Sequence, residues 1–176
     1  MDKRCRPHLR PPSGSWRVDE VYVEVKGRGR WLYRAVDKHG DTLDFLLSAK
    51  RDAKGAKRFF RKTLNARNST TPSVINADKH AVYLPAFAAL QEDKMLSQLV
   101  ELRQNQYLNN VIEQDHRFLQ QLIKPGLGFK SFNTARRTIK GYEAMHMLRK
   151  GQVTGVPKGD VKAQLSIMAH ILQVAA

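Results

Sequence analysis

Three carboxylates in this chain have the type and the setting for metal-assisted phosphodiester chemistry. Asp19 sits in TrpArgValAspGluValTyr, Asp78 follows ValIleAsnAla, and Glu113 lies in TyrLeuAsnAsnValIleGluGlnAspHisArg, with 34 residues between the last two. Three such acids can hold two divalent cations ~3.5–4 Å apart, one activating the attacking oxygen and one stabilising the leaving oxygen. Two Mg²⁺ (or Mn²⁺) ions suit an all-carboxylate set, being hard cations that prefer oxygen. Spacing alone says little in a chain with 16 acidic residues. The placement says more. Asp19 shares strand parity with Val21, Val23 and Val25, and a carboxylate on an apolar face is costly unless it is paired or metal-bound.

The elements that must position these acids can be read in order. Val18 to Val25, Trp31 to Val36 and Thr42 to Ala49 are strand-like runs with short turns between them, an antiparallel meander. A helix fits Ala53 to Ala66. Ser73 to Ala77 is a short strand ending at Asp78, and a helix follows near Pro85 to Met95. Leu99 to Arg103 is a fifth strand and Asn109 to Leu122 a helix. Asn133 to Lys150 is another, with Asn133 as its N-cap and Gly151 as its stop. Residues 160–174 form a last amphipathic helix through Val161, Leu165, Met168 and Leu172. This order predicts an α/β fold: a mixed sheet of about five strands, antiparallel meander plus parallel strands, flanked by helices. It brings Asp19, Asp78 and Glu113 to one sheet edge.

Other residues take blander roles. Glu20 faces opposite Asp19 and reads as a sheet-surface or salt-bridging residue. Asp115 points away from Glu113 as a solvated or ion-paired acid. His116 and Arg117 share the helix face of Glu113. His80 reads as a loop residue, and Trp16 and Trp31 as core. The chain has no phosphate-cradling glycine loop, no nucleophile elbow and no cysteine nucleophile.

The bulk numbers fit. Thirty-one Lys and Arg against 16 Asp and Glu leave +15, so a polyanion is the natural partner. The basic residues are spread along the chain, which favours nucleic acid over a membrane surface. Length and composition suit one soluble domain. One cysteine excludes an internal disulfide framework and suits a reducing compartment. Residues 1–15 read as a basic, flexible arm of Arg and Pro, and 154–176 as a tail carrying the last helix.

The words around the acids resemble the catalytic region of DDE transposases of the insertion sequence 6 family. The resemblance covers about 15–153. It rests on TrpArgValAspGluValTyrValGluValLysGly (16–27), LeuTyrArgAlaValAsp (32–37), residues 101–117 ending GluGlnAspHisArg, and GlyPheLysSerPheAsnThrAlaArgArgThrIleLysGlyTyrGluAlaMet (128–145). It implies a ribonuclease H-like, integrase-like catalytic domain over 16–153, with Asp19, Asp78 and Glu113 as catalytic residues and metal ligands. The implied reaction is DNA cleavage at element ends and strand transfer to target DNA, in a bacterial, cytoplasmic, nucleoid-associated setting. A homo-oligomer, a dimer by expectation, would act. Arg117, Lys124, Arg136 and Arg137 are expected to grip phosphates. Two departures stand out. The family's N-terminal helix-turn-helix region is not matched, which suggests a truncated copy. Gln120 also stands where a Lys or Arg is usual, which should lower the salt slope of DNA binding by about one. The alternatives are a catalytically silent DNA-binding remnant that modulates a full-length transposase, or a stand-alone ribonuclease H-like nuclease.

Overall fold

A computed structural model describes residues 2–66, 69–105, 110–123 and 129–172. Its elements are α1 (Asp2–Cys5), a 3-10 turn (Arg6–His8), β1 (Ser15–Val25), β2 (Arg28–Asp37), β3 (Thr42–Ser48), α2 (Ala53–Leu64), β4 (Val74–Ala77), α3 (Tyr83–Glu92), β5 (Glu101–Gln104), α4 (Asn110–Ile123), α5 (Phe132–Arg149) and α6 (Val161–Leu172). The sheet order is β3-β2-β1-β4-β5. β1, β2 and β3 pair antiparallel, while β4 runs parallel to both β1 and β5. The expected meander-plus-parallel sheet is therefore present.

Alternation along β1 divides the core. Trp16 and Val18 point to one face, where Phe59 and Phe60 of α2 and Tyr83, Ala86 and Leu90 of α3 close over them. Val21, Val23 and Val25 point to the other, against Leu119 of α4 and Ala135 and Ile139 of α5. Fully burying each large apolar side chain here contributes about 1.5–3 kcal/mol. Between Val36↔Thr42 and Ala35↔Asp44 the ladder takes one extra residue, Leu43. This bulge switches the strand's alternation, so Leu43 joins the first cluster while Phe45 and Leu47 join the second.

Several boundaries differ from expectation for identifiable reasons. α3 begins at Tyr83, two residues before Pro85, because a proline in the first helical turn removes no intrahelical hydrogen bond. Ser131, not Asn133, caps α5: its Oγ accepts from the Thr134 N–H at 3.2 Å. Leu99 lies outside β5 and is exposed.

The N-terminal segment is not a flexible arm. Cys5 and Leu9 are buried with Ala144, Met147, Leu148 and Val153. Arg6 reaches Asp44 at 2.5 Å, and Leu9 bridges Val153. Pro7 is accommodated in the first turn of the 3-10 helix. α6 closes the same cluster, with a face that shares Met168 with the expected stripe but is turned away from Val161 and Leu165. Ala163, Ile167, Met168 and Ile171 pack inward, whereas Val161 and Leu165 are exposed; the Leu172 side chain lies outside the described residues. Among the described residues, no helix is long and apolar enough to cross a membrane.

Gly151 ends α5 at φ +72°, and a Cβ there would lie 2.4 Å from the Lys158 backbone nitrogen. Gly151→Ala therefore combines left-handed strain with a backbone clash. We expect a loss of about 2–3 kcal/mol, or roughly 5–10 °C in Tm. A melt within about 1 °C of wild type would contradict it.

Candidate active site

Asp19 stands in the middle of β1, and Asp78 directly follows β4. Because β4 lies parallel to β1 with Ala77 beside Val18, the two carboxylates meet at the end of the short strand. Carboxylate oxygens of Asp19, Glu20 and Asp78 all lie within 4.8 Å of one another. Glu113 is in the first turn of α4, exposed, on a helix that packs against β1. It is near enough for its charge to act on Asp19. Asp19 and Asp78 are thus brought together as expected, but the third acid clustered with them is Glu20; Glu113 reaches Asp19 by its charge and is not part of that cluster.

The electrostatics show acids held close, with Arg51 beside Glu20 and Asp78 and, among the described residues, no charged partner for Asp19 at neutral pH. Burial pushes the Asp19 carboxyl up to about 7. The Glu20 N–H, donating to Oδ1 at 2.8 Å, opposes this, but the charges of Glu20, Asp78 and Glu113 add to the rise. Nδ1 of His116 lies 3.5 Å from Oδ2 of Asp19. This is no ion pair at neutral pH, because burial, helped by the Arg34 charge, holds the imidazole down at about 3 and uncharged. Asp78 turns its own loop: Oδ1 accepts from the His80 N–H at 3.0 Å, while Oδ2 lies 3.6 Å from Arg51. His80 is therefore a loop residue, as expected.

An all-oxygen donor set whose central acid is destabilised in its charged form fits a hard divalent cation. Asp19→Asn removes that buried charge. The metal-free variant should melt about 3–8 °C above wild type, while losing any stabilisation by Mn²⁺. A metal-free Tm at or below wild type would refute the strain reading of Asp19.

Of the two roles expected for Glu20, the structure shows the salt-bridging one. It is buried, not on the sheet surface: one oxygen accepts from the Tyr83 hydroxyl and the other from Arg51. A signal existed, since Glu20 shares parity with Trp16 and Val18. Asp115 is ion-paired and buried, with Arg34 at 2.6 Å, His146 at 2.6 Å and Lys150 at 3.0 Å. Arg34 also grips Glu143 through Nε at 2.6 Å and Nη2 at 2.9 Å. Arg34 is the cross-strand partner of Asp19, so this network ties β2 to α4 and α5 beside the acids. Arg117 is exposed one turn after Glu113, and Arg136 and Arg137 are exposed on α5. Lys124 lies outside the described residues.

Known proteins match this geometry. A family model described as a DDE domain, that of IS240-type transposases, matches residues 13–152. The transposase of the insertion sequence-like element IS431mec of Staphylococcus aureus is 34% identical over 135 residues, covering 77% of this chain. The transposase of IS257 in transposon Tn4003, also from Staphylococcus aureus, matches equally. The chain spans 58% of the length of these relatives. Among solved structures, the catalytic core of HTLV-2 integrase, in its dimeric form with magnesium, superposes with a TM-score of 0.56 at 14% identity, covering 82% of this chain and 90% of that one. The BIV integrase core gives 0.53 at 14%, covering 92% and 99%. These structural likenesses establish the ribonuclease H-like fold. With the family model covering most of its length, the chain belongs to the DDE-domain transposases of bacterial insertion elements, of the insertion sequence 6 type.

Proposed function

We propose that this chain catalyses metal-dependent DNA cleavage and strand transfer, using Asp19, Asp78 and Glu113 as its catalytic acids. The observation that carries the reading is the meeting of Asp19 and Asp78 on adjacent parallel strands, within the electrostatic reach of Glu113. Two bound Mg²⁺ or Mn²⁺ ions would supply an activated oxygen nucleophile and charge stabilisation for the leaving oxygen. The chain's own residues fix the ligands. The Glu20 and His80 N–H groups orient the carboxylates of Asp19 and Asp78, and Glu113 is carried by α4, which packs against β1. In this reading, hydrolysis of one strand leaves a 3′-hydroxyl at the element end. That hydroxyl then attacks a target phosphodiester in line and displaces a 3′ oxygen. Arg117, Lys124, Arg136 and Arg137 hold backbone phosphates, with a second copy of the chain completing the assembly on DNA in the bacterial cytoplasm.

The test is incubation of the purified chain with Mn²⁺ and a labelled duplex ending in the terminal repeat of its own element. Nicking followed by joined products supports the proposal. Binding of DNA with no cleavage would instead make the chain a silent DNA-binding partner of a longer transposase. Cleavage of any duplex or hybrid without joining would make it a simple nuclease.

A further inference from the structure

Glu20 poses a problem for the proposed metal site. A carboxylate oxygen of Glu20 lies within 4.8 Å of oxygens of both Asp19 and Asp78, so a cation has a choice of three acids. The structure resolves the competition through Arg51. The Nε and Nη2 atoms of Arg51 both contact Oε1 of Glu20, and Tyr83 donates its hydroxyl to Oε2. Both oxygens of Glu20 are therefore engaged on the α2/α3 side of the sheet. Arg51 also lies 3.6 Å from Oδ2 of Asp78, with its guanidinium 4.8 Å over the Trp31 ring. Its backbone is held as well. It precedes Asp52, which caps α2 by accepting from the Gly55 N–H at 2.7 Å and whose carbonyl accepts from the Tyr33 hydroxyl at 3.3 Å. A planar guanidinium suits this role, because it presents several donors in fixed directions and stacks on an aromatic face.

We propose that Arg51 is a positioning residue that, braced between Glu20 and Asp78, keeps Glu20 out of the metal's ligand set. The cation is thereby directed to Asp19 and Asp78 on the side where α4 brings Glu113. This rests on the reading of Asp19 and Asp78 as metal ligands. Removing Arg51 frees a buried carboxylate beside the site, and an additional unpaired negative charge at that range strengthens cation attraction about tenfold.

The experiment is calorimetric titration of the full chain with Mn²⁺, comparing wild type, Arg51→Met, Glu20→Gln, the double variant and Asp78→Ala. Arg51→Met should bind Mn²⁺ about tenfold more tightly, and adding Glu20→Gln should return the affinity to the wild-type level. Mere structural damage would weaken binding, so a gain in affinity separates the two explanations. Trp31 emission should change in Arg51→Met before any metal is added, since Arg51 lies over the Trp31 ring while Trp16 is buried elsewhere. Should Arg51→Met fail to fold, Arg51→Gln carries the same expectation. Unchanged or weaker Mn²⁺ binding in the folded Arg51 variant, or a gain that survives Glu20→Gln, overturns the proposal and leaves the metal site standing. Wild-type affinity in Asp78→Ala overturns the metal site itself, and the role of Arg51 with it.

Discussion

Asp78→Ala should lower Mn²⁺-dependent DNA strand cleavage by about a thousandfold or more, while leaving the fold intact. The size follows from the chemistry. A divalent cation supplies several kcal/mol of transition-state charge stabilisation, and each 1.4 kcal/mol is about a factor of ten in rate. The fold is spared because Asp78 is partly exposed after the end of β4, where it makes a local turn to the His80 N–H, a long approach to Arg51 and a backbone contact to Gln104. Asp78→Asn sharpens the test. The amide oxygen keeps the acceptor for His80, so the loop holds its shape while the charge is gone. Single-turnover cleavage of an element-end duplex measures the effect, with a thermal melt as the control. Cleavage by Asp78→Asn within tenfold of wild type would sink the assignment of Asp78 as a metal ligand.

That Asp19 and Asp78 meet was legible because strand parity and element order are local signals. Asp19 among alternating valines, and Asp78 at the end of a short apolar run, need only periodicity to be placed. Glu20 could be read only as sheet-surface or salt-bridging, and its burial was hidden because the two halves of β1 differ. On its parity Trp16 and Val18 are covered by α2 and α3, whereas Tyr22 and Glu24 beyond it are exposed. The length of the covering helices decides where burial stops, and the strand itself does not encode that. The packed N-terminus was hidden for a similar reason. Arginines and prolines read as solvated chain, yet Cys5 and Leu9 are buried against α5, well over a hundred positions away. Asp115 could be narrowed to solvated or ion-paired, and its partner Arg34, 81 positions earlier, settles which. The inward face of α6 is likewise chosen by the cluster it meets, because both of its faces carry apolar residues.

Arg34→Met should cost about 3–5 kcal/mol of stability, the range for removing one partner from a buried ion network and leaving the other charges uncompensated. Arg34 is fully buried, and it pairs with both Asp115 and Glu143. Its loss leaves Glu143 buried without its guanidinium, while Asp115 keeps Lys150 and His146. For a domain whose total stability is about 5–15 kcal/mol, this is a large fraction, and Tm should fall by roughly 10 °C or more. Adding Glu143→Leu removes the stranded charge and should recover part of the loss, as replacing a whole buried ion pair by apolar groups commonly does. The pH dependence has a defined sign. Burial pushes the Asp115 carboxyl up, but the His146 contact and the charges of Arg34 and Lys150 more than offset this and hold it well below the usual carboxylate range. A carboxyl lower in the folded than in the unfolded chain adds stability above the unfolded value of 3.8, and that stability is lost as pH falls below it. Wild type should therefore lose Tm steeply in acid, and Arg34→Met less so, since part of that stabilisation is already gone. The same substitution should slow DNA cleavage beyond what stability explains, because α4 carries both Asp115 and Glu113, two residues apart. Losing the Arg34 contact to Asp115 loosens the helix that carries Glu113. A melt within about 2 °C of wild type at pH 7 would show that Arg34 is a bystander.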